Sequence, residues 1–200
     1  MRLGITGGIG AGKSYVSRLL TEAFGIPVYD CDSAAKRLMA TSDELRARLT
    51  ALIGDDAYLP DGTLNRPAVA SYLFADKDHV SRINAIVHPA VKDDFLRWTA
   101  AQEQDGQTLV ALESAVLLEA HLADDLDAVI FVDAPVELRL ERAMQRDGAT
   151  CEQILARINR QKADEDFRQT CDYVVINDGR DLRPQLQTIF DALSLEPFKS

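Results

Sequence analysis

The sequence predicts an α/β fold, a parallel sheet covered by helices on both faces. Short apolar runs suited to buried strands recur at residues 3–6, 27–30, 109–113, 129–133 and 173–177, mostly separated by helical patterns. The first run leads straight into Gly7-Gly8-Ile9-Gly10-Ala11-Gly12-Lys13-Ser14, which fits G-x-x-x-x-G-K-[ST] and opens a helix. A strand, a glycine-rich turn and a helix in that order make a phosphate cradle: glycines permit close backbone approach, N–H groups point inward, and the helix presents its positive end. Lys13 is placed to reach the β- and γ-phosphates of a nucleoside triphosphate and Ser14 to hold Mg²⁺.

The first helix runs from residue 13 to about 24 and stops at Gly25, after which Pro27 opens the second strand. Residues 33–107 far exceed one crossover helix and so predict an inserted helical subdomain. Within it Ser33 is read as the cap of a helix through Met39, Ser42 of one ending near Ile53, and Asp76 of one running toward Val87. Residues 54–62 form a turn-rich link with Pro60-Asp61-Gly62 at its tightest point, while Pro67 and Pro89 suit the first turns of further helices. After the fourth strand, residues 135–146 are helical. Thr150-Cys151-Glu152-Gln153 has capping-box spacing and opens a helix to about Gln161. The expected division is a single domain with its core at 1–32, 108–138 and 169–200, the helical insertion at 33–107 and a lid at 139–168. The lid segment carries Arg139, Arg142, Arg146, Arg157, Arg160 and Lys162. Arg142 and Arg146 share a helix face by their spacing; such a run is either a solvated charged face or a set of cations that closes over phosphates.

Composition bounds the function. A chain of 200 residues buries roughly 70% of its unfolded surface without staples. Three cysteines, Cys31, Cys151 and Cys171, have no metal-site spacing. Together with the lack of a signal sequence, they lead us to expect reduced thiols and a cytoplasmic protein. No apolar stretch approaches the roughly 20 residues of a membrane span. A net charge of -10 argues against a nucleic-acid surface but not against a small anion held by a few local cations. Oligomeric state is not legible.

Asp30-Cys31-Asp32 ends the second strand, on the carboxyl edge where parallel sheets bind ligands. Strand alternation would send both carboxylates to one side, toward a γ-phosphate or its metal; alternatively, one of them caps the following helix.

Thr6 through Ser14, with Asp30-Cys31-Asp32, Asn84-Ala85-Ile86-Val87-His88-Pro89, Arg157-Ile158-Asn159-Arg160-Gln161 and Asp172-Tyr173-Val174-Val175-Ile176-Asn177-Asp178-Gly179, resembles the dephospho-coenzyme A kinase family. The resemblance runs in order from the first strand to the last. It implies a P-loop kinase fold with a five-stranded parallel sheet ordered 2-3-1-4-5, an inserted acceptor-binding domain and a helical lid. It also implies transfer of the γ-phosphate of ATP to the ribose 3′-hydroxyl of dephospho-coenzyme A, the last step of coenzyme A synthesis, with Mg²⁺. By the same resemblance Asp32 is the general base, assisted by Lys13 and Arg142. Gly8, Ile9, Gly10, Ala11, Gly12, Lys13, Ser14, Tyr15, Arg142 and Asn177 bind ATP, with Asn177 near the adenine. Thr6, Asp32 and His88 face the acceptor. His88, preceding a proline, reads equally as a cap or a packed side chain.

Two departures stand out. The family's Asp-x-Pro-Leu-Leu-Phe-Glu stretch is here Glu113-Ser114-Ala115-Val116-Leu117-Leu118-Glu119, and Arg139 stands where the family commonly has Gln. Other readings of the residues are a different kinase on the same fold, a GTP-dependent switch, and a nucleotide-binding module without catalysis. The switch lacks an Asn-Lys-x-Asp sequence. For the module, Val129-Ile130-Phe131-Val132-Asp133 resembles an ATPase magnesium strand, or else Asp133 simply ends a strand.

Overall fold

A computed structural model describes residues 1–159 and 164–195, which divide into two compact units, 1–28 with the described residues from 107 onward, and 29–106. The five apolar runs form β1 (Arg2–Gly7), β2 (Val28–Asp30), β3 (Val110–Glu113), β4 (Ala128–Asp133) and β5 (Tyr173–Ile176). The sheet order is β2-β3-β1-β4-β5, with parallel β1–β3, β1–β4 and β4–β5 pairs, as the family resemblance implies.

In the first unit β1 and β4 are buried along nearly their whole length, so both faces must be covered. Leu3, Ile5, Ile130 and Val132 join Val16 and Leu20 of α1 (Lys13–Phe24) and Leu186 of the C-terminal helix in one core. Register fixes the site: Ile5 lies opposite Glu113 and Ile130, so the turn after Gly7 leaves mid-sheet beside the ends of β3 and β4. At the edge strand, the Gln185 side chain accepts from Ile176 N (2.9 Å) and donates to Ile176 O (3.0 Å), occupying groups that another strand could pair with.

In the second unit four helices follow: α2 (Cys31–Thr41), α3 (Asp43–Ile53), α4 (Arg66–Ala75) and α5 (Asp78–Gln104). Ser42 caps α3 through Leu45 N (3.2 Å), as expected, and Pro67 sits in the first turn of α4. The expectations for α2 and α5 need correction. α2 begins at Cys31, not after Ser33, because the Asp30 carboxylate accepts from Asp32 N (2.9 Å) and Ser33 N (3.3 Å) and is itself the cap. Asp32 is therefore helical, and strand alternation does not apply to it. Pro89 opens no new helix; it lies inside α5, a single element of 27 residues. Proline costs such a helix about 3 kcal/mol. Burying Val87, Val91 and Phe95, four apart on one stripe, outweighs it at roughly 1.5–3 kcal/mol each. Asp76 accepts from Asp78 N (2.9 Å) just ahead of that helix.

Beyond β4 come α6 (Val136–Asp147), α7 (Cys151–Ile158), α8 (Asp164–Thr170) and α9 (Arg183–Leu195). The predicted capping box is present: Gln153 Oε1 accepts from Thr150 N (3.0 Å) and Thr150 Oγ1 from Gln153 N (3.4 Å). Arg160, Gln161 and Lys162 lie outside the described residues. Helices α8 and α9 carry no distinctive sequence signal. Phe167 of α8 stacks on Phe131 at 5.2 Å, and Arg168 pairs with Asp133, so that carboxylate ties α8 to the sheet. Cys31, Cys151 and Cys171 are free thiols. Among the described residues no helix is long and apolar enough to cross a membrane.

Candidate active site

The phosphate loop, residues 7–14, is held from behind at two of its carbonyls. Arg139 Nε donates to Ile9 O (3.0 Å) and Asn177 Nδ2 to Ala11 O (2.8 Å), both across more than a hundred residues of chain. Carbonyls tethered in this way are kept from a ligand, as a loop that offers N–H groups to phosphate oxygens requires. The four glycines serve different ends. Gly10 (φ 76°) and Gly12 (φ 96°) use left-handed backbone, and a Cβ at Gly10 would lie 2.1 Å from Arg139 O. Gly8 has no positive φ; there a Cβ would meet the Arg139 guanidinium at 2.0 Å.

Gly12 precedes α1 without a side-chain cap, so the positive helix end faces the loop unblocked by a local carboxylate. Lys13 Nζ arches back onto Gly7 O (3.0 Å) and Gly8 O (3.4 Å). Ser14 Oγ donates to Glu113 Oε1 (3.0 Å), and Ser17, one turn on, donates to Glu113 Oε2 (2.6 Å). The longer carboxylate of the altered stretch is thus fixed through both oxygens. The rest of that stretch is anchored by Leu117, fully buried against Gly4, and by Ser114, whose amide donates to Ile5 O (3.0 Å). Neither Ser17 nor the bidentate role of Glu113 was legible; a hydroxyl one helical turn after Ser14 is the available signal.

Two cavities adjoin the loop. One of about 200 Å³ is lined by Gly10, Gly12, Lys13, Ser14, Arg142 and Arg146, and one of about 310 Å³ by Gly12, Tyr15, Arg142, Asn177, Gly179 and Arg180. Arg142 borders both and is steadied by Asn177, donating to its backbone O (3.2 Å) and its Oδ1 (3.4 Å). Arg146 is paired with Asp147 (2.7 Å), as is Arg157 (2.6 Å); hydrogen bonds from Arg146 and then Arg157 hold the Asp147 carboxyl well below the usual range. Arg139, grouped by sequence with the lid arginines, is 2% exposed and belongs to the floor of the loop. Thr6 is fully buried, with its hydroxyl unpartnered among the described residues.

Asp32 and His88 belong to the helical unit. With Asp30 spent as the cap, Asp32 stands in the first turn of α2, exposed, its amide on Asp30 and its carboxylate without a hydrogen-bond partner among the described residues. His88 is half-buried in α5, and burial pushes its pKa down. Tyr29, packed on Phe95 and Trp98, donates to Asp94 (2.6 Å); burial first, and then that carboxylate, raise its pKa.

For a magnesium ion, the Ser14 hydroxyl and the Glu113 carboxylate are adjacent oxygen donors of the hard type the ion prefers. It commonly takes only one or two protein ligands besides water and phosphate. The residues present fit it.

A five-stranded 2-3-1-4-5 sheet carrying this loop after its central strand defines a P-loop kinase. A family profile for dephospho-CoA kinase matches residues 1–182. The chain is 44% identical over 187 residues to the dephospho-CoA kinase of Bacteroides fragilis, covering 93% of this chain and 89% of that protein. It is therefore a member of the dephospho-CoA kinase family. The crystal structure of TT1252 from Thermus thermophilus superposes with a TM-score of 0.76 at 34% identity, covering 96% of this chain and 97% of that one. Dephospho-CoA kinase from Campylobacter jejuni shares the fold, with a TM-score of 0.69 at 20% identity and 96% coverage of each chain.

Proposed function

We propose that this chain transfers the γ-phosphate of ATP to the ribose 3′-hydroxyl of dephospho-coenzyme A, giving coenzyme A and ADP. The observation that carries the reading is the doubly tethered phosphate loop with Lys13 and Ser14 at its exit, in a chain of this family. Loop amides and Lys13 hold the β- and γ-phosphates, and the larger cavity, bordered by Tyr15 and Asn177, takes the adenine. Ser14 and Glu113 would hold Mg²⁺, which, when bound, neutralises charge on the β- and γ-phosphates. Residues 33–107 form the acceptor-binding part, with Asp32, His88 and Thr6 as its contacts, and residues 139–168 form the lid.

Asp32 orients the 3′-hydroxyl and receives its proton as the oxygen attacks the γ-phosphorus. The new O–P bond forms while the bond from that phosphorus to the β,γ-bridging oxygen breaks, and ADP carries away the electron pair. Arg142 stabilises charge on the phosphoryl group in flight. Acidic composition and free thiols favour action in the cytoplasm, with no nucleic-acid partner.

The test is to incubate the protein with Mg-ATP, with and without dephospho-coenzyme A, and to follow ADP and the product's mass and phosphate position. Acceptor-dependent ADP with a new ribose 3′-phosphate is expected. ADP formation indifferent to the acceptor, or a preference for GTP, would overturn the reading.

A further inference from the structure

Among the described residues of its segment, Arg139 is the arginine buried in the protein, and it lines neither cavity. It is 2% exposed, its Nε donates to Ile9 O at 3.0 Å, its guanidinium fills the space a Gly8 side chain would need, and its own carbonyl abuts Gly10. Burying a guanidinium is costly unless its donors are used, so a position of this kind persists where the charge and the geometry serve something. Here the beneficiary is the loop: Gly8 requires no unusual φ, and its missing side chain makes room for the Arg139 guanidinium.

We propose that Arg139 is a positioning residue for the nucleotide phosphates: it pins Ile9 O on the outer face of the loop and places a fixed positive charge behind the amides that bind the β-phosphate. The inference rests on the reading of the loop as the ATP site. Asn177 performs the matching tether at Ala11 O, but as a neutral amide, so the charge behind the loop comes from the Arg139 side. Nucleotides whose β-phosphate sits in the loop, ATP and ADP, depend on Arg139; AMP, and the acceptor, whose own diphosphate binds outside the loop, do not.

The experiment measures Kd for ATP, ADP, AMP and dephospho-coenzyme A by calorimetry in the unsubstituted protein and in Arg139→Gln, with thermal unfolding alongside. Losing one charge-assisted hydrogen bond should weaken ATP and ADP binding about 10- to 100-fold and leave AMP and the acceptor unchanged. Arg139→Lys, which keeps the charge but not the Nε donor, should lose less than Arg139→Gln with the same selectivity. Unchanged ATP affinity in either folded variant, or an equal loss for all four ligands, would overturn the proposal. Because substitution of a buried arginine can unfold the chain, the Arg139 Nε–H resonance of the unsubstituted protein is followed too. It should exchange slowly and shift on ADP addition but not on acceptor addition; indifference to ADP overturns the proposal. Failure of the unsubstituted protein to bind ATP at all would instead count against the function proposed above.

Discussion

The phosphate loop and the start of α2 both carry the polar residues of a candidate active site, yet they are built in opposite ways. In the loop, two carbonyls are tethered from behind, Ser14 is fixed on Glu113, Lys13 is folded onto Gly7 and Gly8, and Arg142 is steadied by Asn177. At the start of α2, Asp30 consumes the local amides and leaves the Asp32 carboxylate exposed with no hydrogen-bond partner among the described residues. The contrast teaches a division of labour. On the proposed reading, phosphates are bound by geometry set up in advance, which lowers the reorganisation needed for transfer. A general base must instead keep its lone pairs open for the acceptor proton.

Substitutions that break one side should spare the other. The largest effect is expected for Asp32→Asn, which should lower kcat roughly 10²- to 10⁴-fold with the fold intact. Steady-state turnover close to normal would remove Asp32 as the base. Next is Gly10→Ala: strain at φ 76° and a clash with Arg139 O should weaken ATP binding about 10- to 100-fold, measured by calorimetry. Glu113→Gln keeps the shape of the Ser14 contact but loses its charge. The Mg²⁺ concentration for half-maximal activity should rise about tenfold, and an unchanged metal requirement would refute the role given to Glu113.

The smallest effect concerns His88. Burial lowers its folded pKa below the unfolded value of about 6.5, so on acidification the unfolded chain takes up a proton before the folded chain does. Its contribution to stability is therefore present above about pH 6.5 and lost as pH falls toward the lower folded pKa. Denaturant melts of the parent and His88→Gln should converge or cross over that window. Parallel stability profiles would show that His88 does not titrate with unfolding.

Much of this comparison is legible in the sequence, but unevenly. The loop, its flanking strand and helix, and the capping box at Thr150 follow local rules of spacing, so residues three or four apart announce them. The partners that make the loop rigid do not: Arg139 and Ile9 are 130 positions apart, and nothing in the pattern of α6 separates a buried arginine from its exposed neighbours. Proline rules break α5 at Pro89, whereas the stripe of Val87, Val91 and Phe95 carries the helix through because its burial is a tertiary effect. Choosing between Asp30 and Asp32 needed the exact start of α2, a boundary that local propensity leaves uncertain by a residue or two.

The most direct test of the division of labour is a crossed pair of measurements on Asp32→Asn and Gly10→Ala: Kd for ATP and for dephospho-coenzyme A, and the single-turnover rate with both bound. Asp32→Asn should bind ATP as the parent does and transfer slowly, while Gly10→Ala should lose ATP affinity and keep acceptor affinity. Loss of ATP binding in Asp32→Asn, or of acceptor binding in a folded Gly10→Ala, would contradict the account.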